Sequence, residues 1–398
     1  MISYKTILKF SLILALTLSM SNHQYAISQS SNRDYWPTDE WRVVTPEIQG
    51  MNSSLLNDML SRVDDLNLDI DSVSIIRNGY LVFHELPSGN YDGTAMHVLA
   101  SVAKSVSSVL VGIAIDLGYI SNLSQRVIDF FPDRTIDNMD GRKENWTLEH
   151  LLTMTSGLEW DEVSYSYESS LNSYSQLTQS EDWIQFMLDL PMETEPGTSW
   201  TYNSGSVFLI SPIIESLTNM TLGEFAEEYL FRPLGITNYY WEQNPNGFYI
   251  ANGHFGLATL DLAKIGFMLL NNGTWENNQI ISSDWIQESK RTRHFFSDDS
   301  GYGYLWWTLP DIDVYYALGA YNQHLFISPD HDLVVSITAS IAGNNPVLSL
   351  FRNYILPSII GPIQSIPFFL SPTVTLLVIV AIGSVIGVAV VAFFRKKG

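Results

Sequence analysis

An α/β (α+β) chain, with an antiparallel sheet flanked by helices, a mostly helical insertion and a C-terminal transmembrane helix, is the architecture this sequence predicts. Three observations predict it. Strand patterns cluster towards the two ends of the chain, on either side of a centre that reads helical. Asn78-Gly79 sits between two strand-like runs, the signature of a two-residue hairpin and hence of antiparallel pairing. Residues 373–394 form a 22-residue run without a charge, long enough to cross the hydrocarbon core of a membrane.

Taken in order, residues 1–26 carry Lys5 and Lys9, an apolar run starting at Phe10 and then a polar stretch. That is the pattern of a secretory signal peptide, with Ala26 as a cleavage point; an uncleaved anchor is the competing reading. An irregular lead-in follows. From Asn52 to Leu66, residues Leu55, Leu56, Met59, Leu60 and Val63 recur near helical spacing and predict an amphipathic helix. Segments 71–77 and 80–85 are the strands of the hairpin. Helices with long loops are expected through the middle, including 220–230 and 261–271. Strand character returns at 304–308, 314–318, 324–328 and 333–338, and a helix over 345–356 closes a main domain spanning 40–356. Pro357, Pro362, Pro367 and Pro372 make 357–372 a stiff juxtamembrane linker. The membrane helix and a basic tail, 395–398, complete the chain.

Arg395-Lys-Lys397 follows the apolar run at once, and positive flanks stay on the cytoplasmic side. The expected protein is therefore single-pass in the cell membrane, with its large domain outside. Gly383 and Gly387 have the small-xxx-small spacing that lets two membrane helices approach, so a homodimer through them is a further expectation. Five N-x-S/T sequons, at Asn52, Asn122, Asn145, Asn219 and Asn272, suit an exported domain. The net charge is −22; five basic residues lie in the terminal segments, leaving 15 basic against 42 acidic in between. Such a surface repels nucleic acid, and solubility or adaptation to salt accounts for it. There is no cysteine, so disulfides, thiol catalysis and cysteine–zinc sites are excluded. Without H-E-x-x-H, a phosphate loop or a G-x-S-x-G elbow, a metalloprotease, a P-loop NTPase and an α/β-hydrolase are disfavoured. No metal or organic cofactor is expected.

The chemistry points to Ser101-Val-Ala-Lys104 and Tyr202-Asn-Ser204. Residues i and i+3 share a helix face, so the Lys104 ammonium can reach the Ser101 hydroxyl. A serine is a weak nucleophile until a base takes its proton, and lysine can be that base only if burial or charge lowers its pKa. Tyr202, as phenolate or phenol, would complete a proton relay.

The segment from Leu99 to Ile120 resembles the nucleophile helix of the serine β-lactamase-related family of class C β-lactamases, D-amino-acid peptidases, carboxylesterases and nylon-oligomer amide hydrolases. Five more blocks match in that family's order. They are Leu151-Leu-Thr-Met-Thr-Ser-Gly-Leu158, Glu195-Pro-Gly-Thr-Ser-Trp-Thr-Tyr-Asn-Ser-Gly205 and Phe231-Arg-Pro-Leu-Gly-Ile236. Gly256-Leu-Ala-Thr-Leu-Asp-Leu-Ala-Lys-Ile-Gly266 and Gly301-Tyr-Gly-Tyr-Leu-Trp-Trp307 complete the set. The resemblance implies a β-lactamase/transpeptidase-like fold with Ser101 as nucleophile and Lys104 and Tyr202 moving the proton. It places Ser204, rather than Asn203, where many relatives carry asparagine, within reach of Lys104 or a substrate carbonyl.

A departure comes where relatives carry Lys-Thr-Gly or His-x-Gly. The matching segment reads Gly319-Ala-Tyr-Asn-Gln-His324, so Ala320, Tyr321 and Asn322 stand for that triplet and Gln323 N–H would be the second oxyanion donor. With no cation there, carboxylate-bearing β-lactams and D,D-peptides are disfavoured. Tyr321, Trp160 and Tyr302 are candidate pocket walls, and His254 and His324 candidate site histidines. The sequence thus predicts a membrane-anchored serine hydrolase for an ester, a small amide or a short peptide. A D-amino-acid peptidase, transacylase or β-lactamase of the same family is one alternative. A catalytically weak surface binding protein is another.

Overall fold

The computed structural model describes residues 33–89 and 95–361. The expected signal peptide (1–26), membrane helix (373–394), basic tail, Gly383 and Gly387, and most of the linker lie outside the described residues. Among the described residues no helix is long and apolar enough to cross a membrane.

The centre of the fold is an eight-stranded sheet. Its strands are β1 (Ile70–Arg77), β2 (Tyr80–Glu85), β3 (His294–Ser297), β4 (Ser300–Tyr302), β5 (Trp307–Leu309), β6 (Val314–Gly319), β7 (Gln323–Ser328) and β8 (Leu333–Ala339). They run β2-β1-β8-β7-β6-β5-β4-β3, antiparallel throughout. The hairpin joining β1 to β2 turns at Asn78 and Gly79, both at positive φ (52° and 88°), as a primed two-residue turn requires. The N-terminal hairpin is stitched to the C-terminal strands by the β1–β8 ladder, in which Val73 faces Ile337 and Ile75 faces Val335.

Helices cover both faces, which is why β1 and β8 are buried along their whole lengths. On one face Val73 and Ile75 pack with Leu56, Met59 and Val63 of helix α1 (Ser53–Asp65) and with Phe351. On the other lie helix α2 (Val102–Asp116) and helix α3 (Thr259–Leu270). The polar residues of β1 and β8 on this face are satisfied in place. Ser72 bonds Thr338 at 2.8 Å and Thr259 at 2.5 Å, and Ser336 donates to Thr259 O. Asn52 caps α1 by accepting from Ser54 N–H.

Three differences from the sequence expectation stand out. The strand expected at 304–308 forms only from Trp307, because Leu305 adopts φ 61° and the backbone N–H groups of Tyr304 and Leu305 turn to Ser289 O and Leu152 O. Strands β3 and β4 were not foreseen. They form a short hairpin at the sheet edge whose outer strand is largely exposed, so no burial alternation marks it. The helix expected over 345–356 begins at Pro346 after the Asn345 cap and widens into a π turn at Phe351–Ile355.

Candidate active site

Ser101 stands immediately before α2, where the helix meets the end of β6. The approach to it is fixed. His97–Val98 pairs with Phe255–Leu257 in a three-stranded sheet, Leu99 N–H donates to Phe255 O, and Ala100 takes a left-handed conformation (φ 47°). A non-glycine residue held there stores strain that only an over-determined surrounding tolerates. Ser101 N–H belongs to the helix's first turn, whose amides have no partner within the helix.

The Lys104 ammonium donates to Ser101 Oγ at 2.8 Å and to the carbonyl of Asn252 at 2.7 Å. Lys104 is 2% exposed, and burial brings its pKa from 10.5 down to about 8, with the charge of Glu162 pulling partly the other way. Its nitrogen lies 5.0 Å from the centre of the Tyr202 ring. Tyr202 is half-buried, and its phenol hydrogen-bonds with Ser101 and Ser204. Burial, then the Glu162 carboxylate, push its pKa well above the ordinary phenol range, so at neutral pH Tyr202 is protonated. Burial alone does not make a lysine special. Lys143 is also buried but spends its ammonium on the carbonyls of Leu188, Leu190 and Asp137.

Sequence reasoning missed Glu162. This carboxylate is 3% exposed and accepts from Ser204 N–H and Ser204 Oγ, both at 2.7 Å, and from Trp160 Nε1 at 2.7 Å and the Tyr167 hydroxyl at 3.3 Å. Ser204 therefore bonds Glu162, and the Lys104 hydrogen bonds go to Ser101 and Asn252. Asn203 points away, capping the helix Ser204–Phe208 through Ser206 N–H. Glu162 is one of three acids around Trp160, with Glu159 and Asp161, and nothing in the sequence singles it out from them.

The strand end that approaches the nucleophile loop lies at Gly319, ahead of the expected Ala320–Asn322 triplet. At Gly319, the last residue of β6, a Cβ would lie 2.2 Å from Leu99 O, so only glycine permits the close approach of strand to nucleophile loop. The triplet beside Ser101 is thus Ala317-Leu318-Gly319, and the next amide is that of Ala320. Gln323 begins β7 opposite Gly319, and its side-chain amide donates to the carbonyls of Ala320, Tyr321 and Ala339. It braces the turn and lines neither cleft beside Ser101. Tyr321 and Asn322 form the turn, at φ 61° and 70°, and Asn322 Nδ2 pins it by donating to Ile341 O and Asn344 O, both at 3.0 Å.

Two clefts flank Ser101. One, about 610 Å³, is walled by Trp200, Tyr202, Phe296, Trp307 and Tyr321. The other, about 310 Å³, contains Lys104, Ser204, Asn252, Tyr174 and His254. Among the expected pocket walls, Tyr321 lines the first. Trp160 and Tyr302 are buried behind the site, Trp160 tied to Glu162 and Tyr302 packed under Trp200 and Trp307. His254 pairs with Glu242 at the mouth of the smaller cleft. His324 is fully buried beside Tyr316 and Phe326, and burial lowers its pKa to about 4. Among the described residues no group of three or more His, Cys, Asp or Glu is placed to hold a metal.

Comparison with known proteins agrees with this geometry. The family model described as Beta-lactamase matches residues 69–354. The 6-aminohexanoate-dimer hydrolase of Paenarthrobacter ureafaciens is 22% identical over 300 residues, 70% of this chain and 76% of that protein. Among solved structures, EstCE1, a hydrolase with promiscuous acyltransferase activity, superposes with a TM-score of 0.65 at 14% identity, covering 79% of this chain and 99% of its own. A penicillin-binding protein homolog from Caulobacter crescentus gives a TM-score of 0.63 at 14% identity, covering 79% and 98%. With its fold shared across these proteins and the family match spanning most of its length, the chain belongs to the beta-lactamase family of serine hydrolases.

Proposed function

We propose that the protein hydrolyses an ester or small amide through an acyl-enzyme formed on Ser101. The observation that carries this is the buried Lys104, its nitrogen 2.8 Å from Ser101 Oγ and its pKa brought down to about 8. Neutral Lys104 takes the serine proton as Oγ attacks the carbonyl carbon. The resulting oxyanion rests on the N–H groups of Ser101 and Ala320, the latter in place of Gln323. Because Tyr202 is a phenol and not a phenolate, it gives its proton to the leaving atom as the carbon–heteroatom bond breaks, and Lys104 restores it. One proton has then moved from serine to leaving group. Water repeats the sequence to free the acid.

The 6-aminohexanoate-dimer hydrolase and the EstCE1 hydrolase support ester or amide substrates. No cation lines the larger cleft, which argues against substrates held by a carboxylate. A pure binding protein would gain nothing from a lysine buried at a cost to stability. The uncharged run 373–394 and its basic flank support a single-pass anchor in the cell membrane with the hydrolase domain outside.

Intact-mass measurement after fluorophosphonate treatment tests the hydrolase reading. One adduct on the wild type and none on Ser101→Ala is the expected result. No adduct on a folded wild type would overturn it.

A further inference from the structure

The two clefts differ in chemistry, and that difference divides the substrate. The larger is walled by Trp200, Tyr202, Phe296, Trp307, Leu318 and Tyr321, and none of its lining residues is charged, in a chain of net charge −22. Phe296 and Tyr321 are 43% and 60% exposed, large apolar surfaces left open on the same cleft as the nucleophile. Trp200 anchors this wall from below: its ring packs against Phe296 at 4.7 Å and Trp307 at 6.1 Å. The turn that presents Tyr321 is pinned by Asn322, so the wall is pre-formed. The smaller cleft holds the Lys104 ammonium, with Ser204, Asn252 and Tyr174 beside it.

Building on the hydrolase reading above, we infer that the aromatic cleft receives the leaving group, and that the substrate is an ester or amide of a short acid with a bulky, uncharged, apolar alcohol or amine. The proton donor decides the direction. Tyr202 lines the aromatic cleft and not the smaller one, and the leaving atom must face the group that protonates it. The acyl carbon bonded to Ser101 then carries its chain into the smaller cleft, whose volume of about 310 Å³ suits a short acid.

The test uses two ester series with the purified full chain. In one the acid is acetate and the alcohol grows from ethanol to cyclohexylmethanol to 2-naphthylethanol. In the other the alcohol is ethanol and the acid grows in the same way. Alkyl alcohols keep the leaving-group pKa nearly constant. The expected result is a kcat/KM that rises about tenfold or more along the alcohol series and falls along the acid series. Phe296→Ala, at a partly exposed position, should collapse the alcohol preference. Hydrolysis with the opposite preference, or with none, overturns the assignment while leaving the hydrolase reading intact. Failure of every ester together with no fluorophosphonate adduct on Ser101 overturns both.

Discussion

Glu162 holds Ser204 by two bonds, accepting its backbone N–H and its hydroxyl at 2.7 Å each. A buried anion thereby fixes the start of the helix that follows Tyr202. The same charge raises the pKa of both Lys104 and Tyr202.

Glu162→Gln should therefore do more than loosen the site. Its amide hydrogens would confront Trp160 Nε1–H or Ser204, leaving a buried donor unpaired at a cost of about 1–3 kcal/mol. Turnover should fall roughly 10- to 100-fold. The discriminating readout is the pH profile: with the carboxylate charge gone, the acid limb set by Lys104 moves to lower pH. A drop in rate with an unmoved limb would make Glu162 merely structural.

The wild-type profile follows from Lys104. Since its neutral form is the base, kcat/KM should rise with pH through an apparent pKa near 8. Stability carries the same sign. The lysine's pKa is about 8 folded and 10.5 in a free chain, so the unfolded state binds the extra proton between those values. Folding is then most favoured above pH 10.5 as far as this group is concerned, and that contribution is lost as pH falls to about 8. Lys104→Met should be inactive yet melt higher than wild type at pH 6–7, a comparison calorimetry can make directly.

In the proposed mechanism, Tyr202→Phe removes the acid that protonates the leaving atom. Alkyl esters and amides, whose leaving groups need that proton, should slow by about 10²- to 10⁴-fold. A p-nitrophenyl ester, whose phenolate leaves unaided, should slow far less. Equal losses on both substrates would argue that the tyrosine acts on the serine alone.

Gly319→Ala drives a Cβ to 2.2 Å from Leu99 O. Either β6 or the loop before Ser101 must retreat, carrying the Ala320 amide away from the reacting carbonyl. A displacement of about 1 Å is worth roughly a hundredfold in rate. Steady-state kinetics with a thermal melt as control would check it; an active Gly319→Ala would remove Ala320 from the oxyanion site.

His324 should make the fold acid-sensitive. Buried beside Tyr316 and Phe326, it has a pKa of about 4 folded against 6.5 free. Its contribution to stability is complete above pH 6.5 and is lost as pH falls towards 4. Replacing it with phenylalanine should flatten the denaturation midpoint over that window.

What the sequence could carry was local. The Ser101–Lys104 spacing, the Asn78-Gly79 turn and the Asn52 helix cap each depend on neighbours within a few residues, so composition and periodicity reveal them. The in-order motifs extended that reading to Tyr202 and to the family. The chain by itself thus determined the α/β class of the described fold and its family, and named Ser101, Lys104 and Tyr202 as candidates.

Tertiary structure decided the rest, because the deciding contacts join distant segments. Glu162 meets Ser204 from 42 positions away, and the Asn252 carbonyl meets Lys104 from 148. Neither Glu162 nor Asn252 lies in a motif, and neither partnership has a sequence period. The same holds for Gly319. Its role follows from a backbone approach to Leu99 across the sheet edge, and that approach is the reason for proposing the Ala320 amide in place of Gln323. Burial is likewise a property of the packed fold: Ser101-Val-Ala-Lys104 names a lysine, but only the surrounding core brings its pKa near neutrality.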